Sequence, residues 1–396
     1  MNIPQLKEFN IYDLESYLEF CESLLHWVPT ETFDGKNVYY HLCLFYFILG
    51  QSPIDRLQTP ILPTSKSLYT WLSQWIIRFA KAMGSNLDKP ESLTPESLET
   101  FRNSPIYHME DYEEPEGGWK SFNHFFARKI KGRLRPVAGR PGDHSVIVSP
   151  ADSVFDGCWR IENNSIVYLK HIPWPIRQLL AGSPYKSKFG GGAFTHSFLA
   201  PYDYHRLHAP VAGEVLEARV IPGLCYLEVD ATTDGDRNAR LSMKRALPAA
   251  RSGPGAPKDP GGATHTGNDI LAPNTPGYQF LQARGLIVIK NPDIGLVAVL
   301  PIGMCQVSSV VLTVKEGDTL KKGDEISYFQ CGGSDCVMLF QRKANVGFTT
   351  SLGQHYNVGI QVARAFPDGI PQEGFKPAPK RHKHIKRPES ALPNGH

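Results

Sequence analysis

From about residue 145 onward the chain is written in short β-branched and apolar runs, each closed off by Gly or Pro. Ser145-Val-Ile-Val148, Gly213-Glu-Val-Leu-Glu-Ala-Arg-Val-Ile221, Gly285-Leu-Ile-Val-Ile-Lys290, Leu296-Val-Ala-Val-Leu-Pro-Ile302 and Val310-Val-Leu-Thr-Val314 are the clearest. Runs of this length with turn residues between them predict strands. The 35 glycines and 32 prolines among 396 residues supply the turns such a body needs.

Residues 1–115 have a different period. Leu68, Leu72, Trp75, Ile76 and Phe79 recur at spacings of three and four, which predicts one buried helix face. Thr94-Pro95 reads as an N-cap and first helical position. The longest apolar stretch, Val38 to Leu49, falls short of the roughly 20 residues a spanning helix needs, and it contains His41. A buried core helix is the expectation there. Glu113-Glu-Pro-Glu-Gly-Gly118 marks a boundary.

The expected fold class is therefore α+β: a helical N-terminal region over 1–115, then a β-rich body over 119–366 with a helix near Trp174 to Leu180. Residues 249–268, AARSGPGAPKDPGGATHTGN in context, have almost nothing to bury and are expected to form a disordered insertion. Residues 367–396 are Pro-rich and basic, with Lys380-Arg-His-Lys-His-Ile-Lys-Arg387, and read as a solvated tail.

Charge narrows the function. Lys plus Arg is 42 against 39 Asp plus Glu, a net +3, so no domain-wide basic excess exists to bind nucleic acid. The seven cysteines are scattered and lack any C-x-x-C pair, which fits reduced thiols rather than a disulfide framework or a zinc knuckle. The first twenty residues carry Glu8, Asp13, Glu15 and Glu19 with Lys7 as the only base, unlike a secretory or mitochondrial leader. A soluble, cytoplasmic protein is expected.

Ala209-Pro-Val-Ala-Gly-Glu-Val215 and Val314-Lys-Glu-Gly-Asp-Thr-Leu-Lys-Lys-Gly-Asp-Glu-Ile326 form a quasi-repeat with the grammar of lipoyl- and biotinyl-like barrels. No Met-Lys-Met or Asp-Lys-Ala tip follows, so barrel-sandwich hairpins are expected without a carrier function.

Three segments carry the candidate chemistry. Val148-Ser-Pro-Ala-Asp152 ends a strand with a carboxylate in a turn. Asp203-Tyr-His205-Arg-Leu-His208-Ala-Pro210 places two histidines, an arginine and an aspartate before a strand. Cys331-Gly332-Gly333-Ser334-Asp335 sets a hydroxyl directly after two glycines, which allow a tight backbone. Singly, each is an ordinary turn, histidine pair or bulge. His205 and His208 lack a third ligand at metal-like spacing, so no metal is expected.

Together and in order, these segments resemble the phosphatidylserine decarboxylase family. The resemblance runs through Phe122-Asn-His-Phe-Phe-Ala-Arg128, Arg135-Pro136, Ser149-Pro-Ala-Asp152, Tyr168-Leu-Lys170 and Phe198-Leu-Ala-Pro-Tyr-Asp-Tyr-His-Arg-Leu-His-Ala-Pro210. It continues in Lys322-Gly-Asp-Glu-Ile-Ser-Tyr-Phe329 and Gly332-Gly-Ser334, and covers about 119–363.

The resemblance implies a pyruvoyl prosthetic group made from Ser334. Ser334 Oγ attacks the Gly333 carbonyl, the amide rearranges to an ester, and elimination gives dehydroalanine. Hydrolysis then leaves a pyruvoyl group and ammonia. The ketone forms a Schiff base with a substrate amine and serves as the electron sink for decarboxylation. A serine hydroxyl needs a base and the base needs orientation. The resemblance implies His208 in the first role and Asp152 in the second, with His205 handling protons during decarboxylation. Cleavage between Gly333 and Ser334 would leave a β chain of 1–333 and an α chain of 334–396, associated without a covalent link. A homodimer is common among similar enzymes.

Two positions depart from the family pattern: Ser153 follows Asp152 where Gly is usual, and Asp335 follows Ser334 where Thr or Ser is usual. The second places a carboxylate beside the reacting bond, where it bears on processing and on pocket charge. It also supports an alternative, an unprocessed, non-catalytic scaffold. Ser67-Leu-Tyr-Thr-Trp-Leu-Ser-Gln-Trp75 and Gly117-Gly-Trp119 look like the soluble fungal branch that includes the pyruvoyl-type tryptophan decarboxylases. The expected substrate is a free amino acid, aromatic among the options, or a small derivative, in secondary metabolism. Phosphatidylserine, in phospholipid biosynthesis, is the alternative, with Val38–Leu49 or the basic tail as routes to peripheral membrane contact.

Overall fold

The computed structural model describes residues 3–65, 68–169, 172–234, 238–243, 277–305, 309–331, 334–367, 369 and 376–377. The expected insertion at 249–268, Lys170, Gly332, Gly333 and residues 378–396 of the expected tail lie outside them.

The apolar runs form an eight-stranded sheet in which every neighbouring pair is antiparallel. Its order is Thr319–Leu320, Gly213–Ile221, Arg284–Asn291, Gly295–Gly303, Ser334–Phe340, Ala193–Leu199, Ser153–Arg160 and His355–Tyr356. A three-stranded sheet of Val310–Leu312, Glu325–Phe329 and Arg206–His208 lies beside it. Lys376–Pro377, Val346–Phe348, Gln361–Ala365 and Val146–Val148 make a four-stranded sheet. Lys376–Pro377 thus pairs as an outer strand within the stretch expected to be a solvated tail.

The large sheet is covered on both faces, so its central strands read as continuous apolar runs rather than alternating ones. In Ser334–Phe340, side chains alternate between the two sides. Cys336, Met338 and Phe340 join one apolar cluster, Val337 and Leu339 the other. Pro301 sits two residues before the end of Gly295–Gly303 and lacks an N–H to donate. The ladder to Arg284–Asn291 has partners at Ile302 and Val299 and skips Pro301 and Leu300.

The N-terminal residues form helices Pro4–Glu8, Leu14–Leu24, Asn37–Leu49, Trp71–Leu87 and Pro95–Arg102. Phe20, Leu42, Phe45, Ile76, Met83 and Phe101 share one cluster with Ile287, Val297 and Met338 of the large sheet. Asn37–Leu49 is a core helix, with Val38, Leu42, Cys43, Leu44, Phe45, Tyr46 and Leu49 all buried. Among the described residues no helix is long and apolar enough to cross a membrane. Thr94 caps the last of these helices: its Oγ1 accepts from Ser97 N at 3.1 Å while Ser97 Oγ accepts from Thr94 N at 2.9 Å.

Two local expectations change. Leu68 lies before the helix that begins at Trp71 and is 87% exposed, because Thr70 caps the helix and ends its apolar face there. The helix expected near Trp174 to Leu180 is a single turn, Ile176–Leu179. Pro173 and Pro175 hold Trp174 in the strand Ile172–Pro175, since a residue before proline is driven out of the helical region.

The two halves of the quasi-repeat interlock. Val215 N donates to Asp318 O at 2.8 Å and Gly317 N to Val215 O at 2.9 Å. Ala209 N donates to Asp324 O at 2.7 Å, and Gly323 N returns a bond to Ala209 O at 2.8 Å. This seam carries His208 against Gly323, with His208 Nδ1 2.8 Å from Gly323 O.

Candidate active site

Ser334 is the first residue of its strand, opposite Gly303 on one side and Leu199 on the other. It is fully buried, and so is His205. Ser334 Oγ lies 3.2 Å from His205 Nδ1. The other ring nitrogen, Nε2, is 3.2 Å from Pro201 O. A carbonyl only accepts, so Nε2 carries the hydrogen and Nδ1 presents its lone pair to Ser334. Burial, with the positive charge of Arg128 behind it, pushes the His205 pKa down to about 3. The imidazole is therefore neutral and able to accept a proton.

The Phe122–Arg128 element builds the walls. Phe126 stacks on His205 with ring centroids 4.0 Å apart. Arg128 lies over the Tyr112 ring at 4.2 Å and donates through Nη2 to Tyr202 O at 2.9 Å, pinning the turn that delivers His205. Asp203 closes that turn by accepting from Ala200 N at 2.7 Å, and its other oxygen meets His355 Nε2 at 3.0 Å. Asn123 Oδ1 accepts from Cys331 N at 3.0 Å, so the same element holds the residue that enters the Gly332-Gly333 segment.

His208 and Asp152 are placed differently from the arrangement the resemblance implies. His208 Nδ1 donates to Gly323 O at 2.8 Å, and its Nε2 accepts from Tyr204 Oη at 3.0 Å. Burial lowers its pKa. Neither ring nitrogen rests on Asp152 or on Ser334. Asp152 instead takes Arg135 Nε at 3.0 Å from each carboxylate oxygen, and the Val358 N–H at 2.7 Å. The guanidinium fork fills the carboxylate's lone-pair directions, so Asp152 acts on His208 through its charge rather than a hydrogen bond. Removing that fork strands a buried carboxylate. Arg135→Ala is expected to cost about 3 kcal/mol in a denaturant titration, with Arg135→Lys recovering only part, since lysine lacks the bidentate geometry.

Asp335 lies on the other face of the strand from Ser334. Its Oδ2 accepts from Tyr278 Oη at 2.8 Å and is 3.3 Å from His196 Nε2. His196 Nδ1 is in turn 2.8 Å from Asp156 Oδ2. Burial opposes a charge on His196, but Asp335 and Asp156 outweigh it and hold the pKa above the ordinary histidine value. Asp156, His196 and Tyr278 carried no readable signal, because three separate chain segments bring them to Asp335. All seven cysteines are buried and none forms a disulfide. Among the described residues no group of three or more His, Cys, Asp and Glu side chains is arranged to hold a metal ion.

The sequence profile of the family described as phosphatidylserine decarboxylase matches residues 122–364, more than half of the chain. The chain belongs to the phosphatidylserine decarboxylase family. Members of this family are carboxy-lyases. The chain is 31% identical to phosphatidylserine decarboxylase proenzyme 3 of Schizosaccharomyces pombe over 258 residues, 65% of this chain but 22% of that protein. It therefore spans about a fifth of that relative's length. It is 30% identical to Decarboxylase iboD of Amanita muscaria over 267 residues, 65% of this chain and 69% of that protein. The phosphatidylserine decarboxylase proenzyme of Fusobacterium nucleatum is 28% identical over 272 residues, 69% of this chain and 74% of that protein. The Phe122–Arg128 element thus holds His205 and Cys331, and the Tyr-His-Arg-x-His element supplies the imidazole that meets the serine.

Proposed function

We propose that this chain is a cytoplasmic, pyruvoyl-dependent decarboxylase of free amino acids or small amino-acid derivatives that makes its prosthetic group from its own Ser334. The observation that carries the reading is the contact between Ser334 Oγ and the acceptor nitrogen of His205, inside a site closed to solvent. His205 takes the hydroxyl proton as Oγ adds to the Gly333 carbonyl, and the Gly333–Ser334 amide gives way to an ester. β-Elimination at residue 334 then releases the Gly333 carboxylate and leaves dehydroalanine, which one water converts to the pyruvoyl group and ammonia. The pyruvoyl group is residue 334 itself, and His205, backed by the Phe126 ring, would hold it. When formed, it supplies a ketone conjugated to the substrate nitrogen, which accepts the electrons left by departing carbon dioxide. His208, held by Tyr204 and Gly323 O, is a second neutral imidazole available to move protons.

Cleavage leaves the pieces joined by the sheet. Ser334–Phe340 lies between Gly295–Gly303 and Ala193–Leu199, both on the upstream piece, so the downstream piece contributes a central strand.

Decarboxylase iboD, matched over 69% of its length, is named as a decarboxylase without mention of phosphatidylserine, which supports a reading other than the lipid. The names of the Schizosaccharomyces pombe and Fusobacterium nucleatum relatives favour phosphatidylserine as the second reading. Carbon dioxide release from a panel of free amino acids and from phosphatidylserine liposomes, with liposome flotation alongside, separates them. Release from a free amino acid with no turnover of the lipid is the expected result. Turnover of the lipid alone, with flotation, overturns the substrate assignment.

A further inference from the structure

The Asp335 cluster is costly in the place where it sits. It is buried on the sheet face lined by Val337, Leu339, Phe194, Trp174 and Phe280, where an apolar side chain would pack without desolvating charge. Four segments converge on it. Asp156 comes from Ser153–Arg160, where a register shift between Phe155 and Gly157 re-aims the side chain. His196 comes from Ala193–Leu199, Asp335 from Ser334–Phe340, and Tyr278 from the turn Tyr278–Phe280. Gln279 Nε2 adds a contact to His196 Nε2 at 3.1 Å.

Asp335 is also one peptide from the reacting residue, and Ser334 is the last paired position at its end of the strand. Opposite Ser334 stand Gly303 on one side and the buried Leu199 on the other, so on the Gly303 side no side chain braces that end. Successive strand side chains point to opposite faces. A rotation that releases Asp335 therefore swings Ser334 away from His205.

We propose that Asp335 is a positioning residue for self-cleavage: gripped by Tyr278 and by the His196–Asp156 pair, it fixes the rotation of the first peptide of its strand and so aims Ser334 Oγ at His205. This rests on reading Ser334 as the self-cleaving residue. It gives Asp335, where the family usually has Thr or Ser, a role beyond carrying a charge near the bond.

The test follows cleavage on denaturing gels from the moment of synthesis, beside thermal melting of each variant. Tyr278→Phe removes one hydroxyl and leaves the ring. It is expected to slow cleavage at least about tenfold, as misaimed reactants do, in a protein that still melts cooperatively. Asp335→Leu is expected to slow cleavage as much or more. Asp335→Asn keeps an acceptor for Tyr278 and is expected to return the rate to within about threefold of the parent. Parent-like cleavage in Tyr278→Phe, or an Asp335→Asn variant as slow as Asp335→Leu, overturns the positioning role. Should the leucine variant fail to fold, the Tyr278→Phe and Asp335→Asn pair still decides. If the parent itself never cleaves, the underlying reading of Ser334 fails, which is a different outcome from a parent that cleaves and variants that match it.

Discussion

Ser334→Ala is expected to leave one 396-residue chain on a denaturing gel where the parent gives two pieces, residues 1–333 and 334–396, and to release no carbon dioxide. The change removes a single oxygen from a buried residue whose hydroxyl meets His205 Nδ1. The strand pairings of residue 334 are backbone bonds, and alanine keeps them. The variant should therefore fold and melt near the parent temperature while lacking both the nucleophile for cleavage and the source of the ketone. Under non-denaturing conditions the parent's two pieces should elute together, because Ser334–Phe340 is flanked by strands of the other piece. Two bands from Ser334→Ala would place the scissile bond elsewhere.

The second large effect separates the two histidines. His205→Gln is expected to slow cleavage by about 10²–10⁴, the usual contribution of a positioned base. His208→Gln should slow it much less, since Tyr204 and Gly323 O occupy both ring nitrogens of His208. The pH profile carries the same information. His205 has its pKa lowered to about 3, so it remains in the unprotonated form that accepts a proton at every pH well above that. As pH falls, a rate limited by His205 should hold through the ordinary histidine range and decline only as pH approaches about 3. A cleavage rate that falls at a pH below the ordinary histidine value but before the decline expected of His205, with His208→Gln the more damaged variant, assigns the base to His208.

Much of this molecule is legible from residue order because its core strands are buried on both faces and so appear as unbroken apolar runs. Gly213–Ile221 has the bounds its sequence predicts, and the Thr94-Pro95 cap forms as its residue types require. Where the reading slips, a local rule outweighs the period. Thr70 stops a helical face that Leu68 would have extended, and two prolines keep Trp174 extended.

The site is legible in its parts but not in its pairings. Asp152, His205, His208 and Ser334 all stand out in the sequence, yet spacing of three cannot say which of two imidazoles turns toward a strand 129 residues away. That choice is made by Pro201 O and Gly323 O, each of which takes one ring nitrogen and fixes the direction of the other. Arg135 likewise gives no sign along the chain that it will take the Asp152 carboxylate. The Asp156–His196–Asp335–Tyr278 set depends on a bulge and on three long-range approaches, none of which leaves a mark in residue order.

Mass spectrometry of the smaller piece, isolated from preparations that release carbon dioxide, is the most direct check on the chemistry assigned to Ser334. The account predicts a fragment beginning at position 334 whose first residue has lost its amino nitrogen and become a pyruvoyl group. An active preparation in which residue 334 is still an ordinary serine within an uncut chain would contradict it.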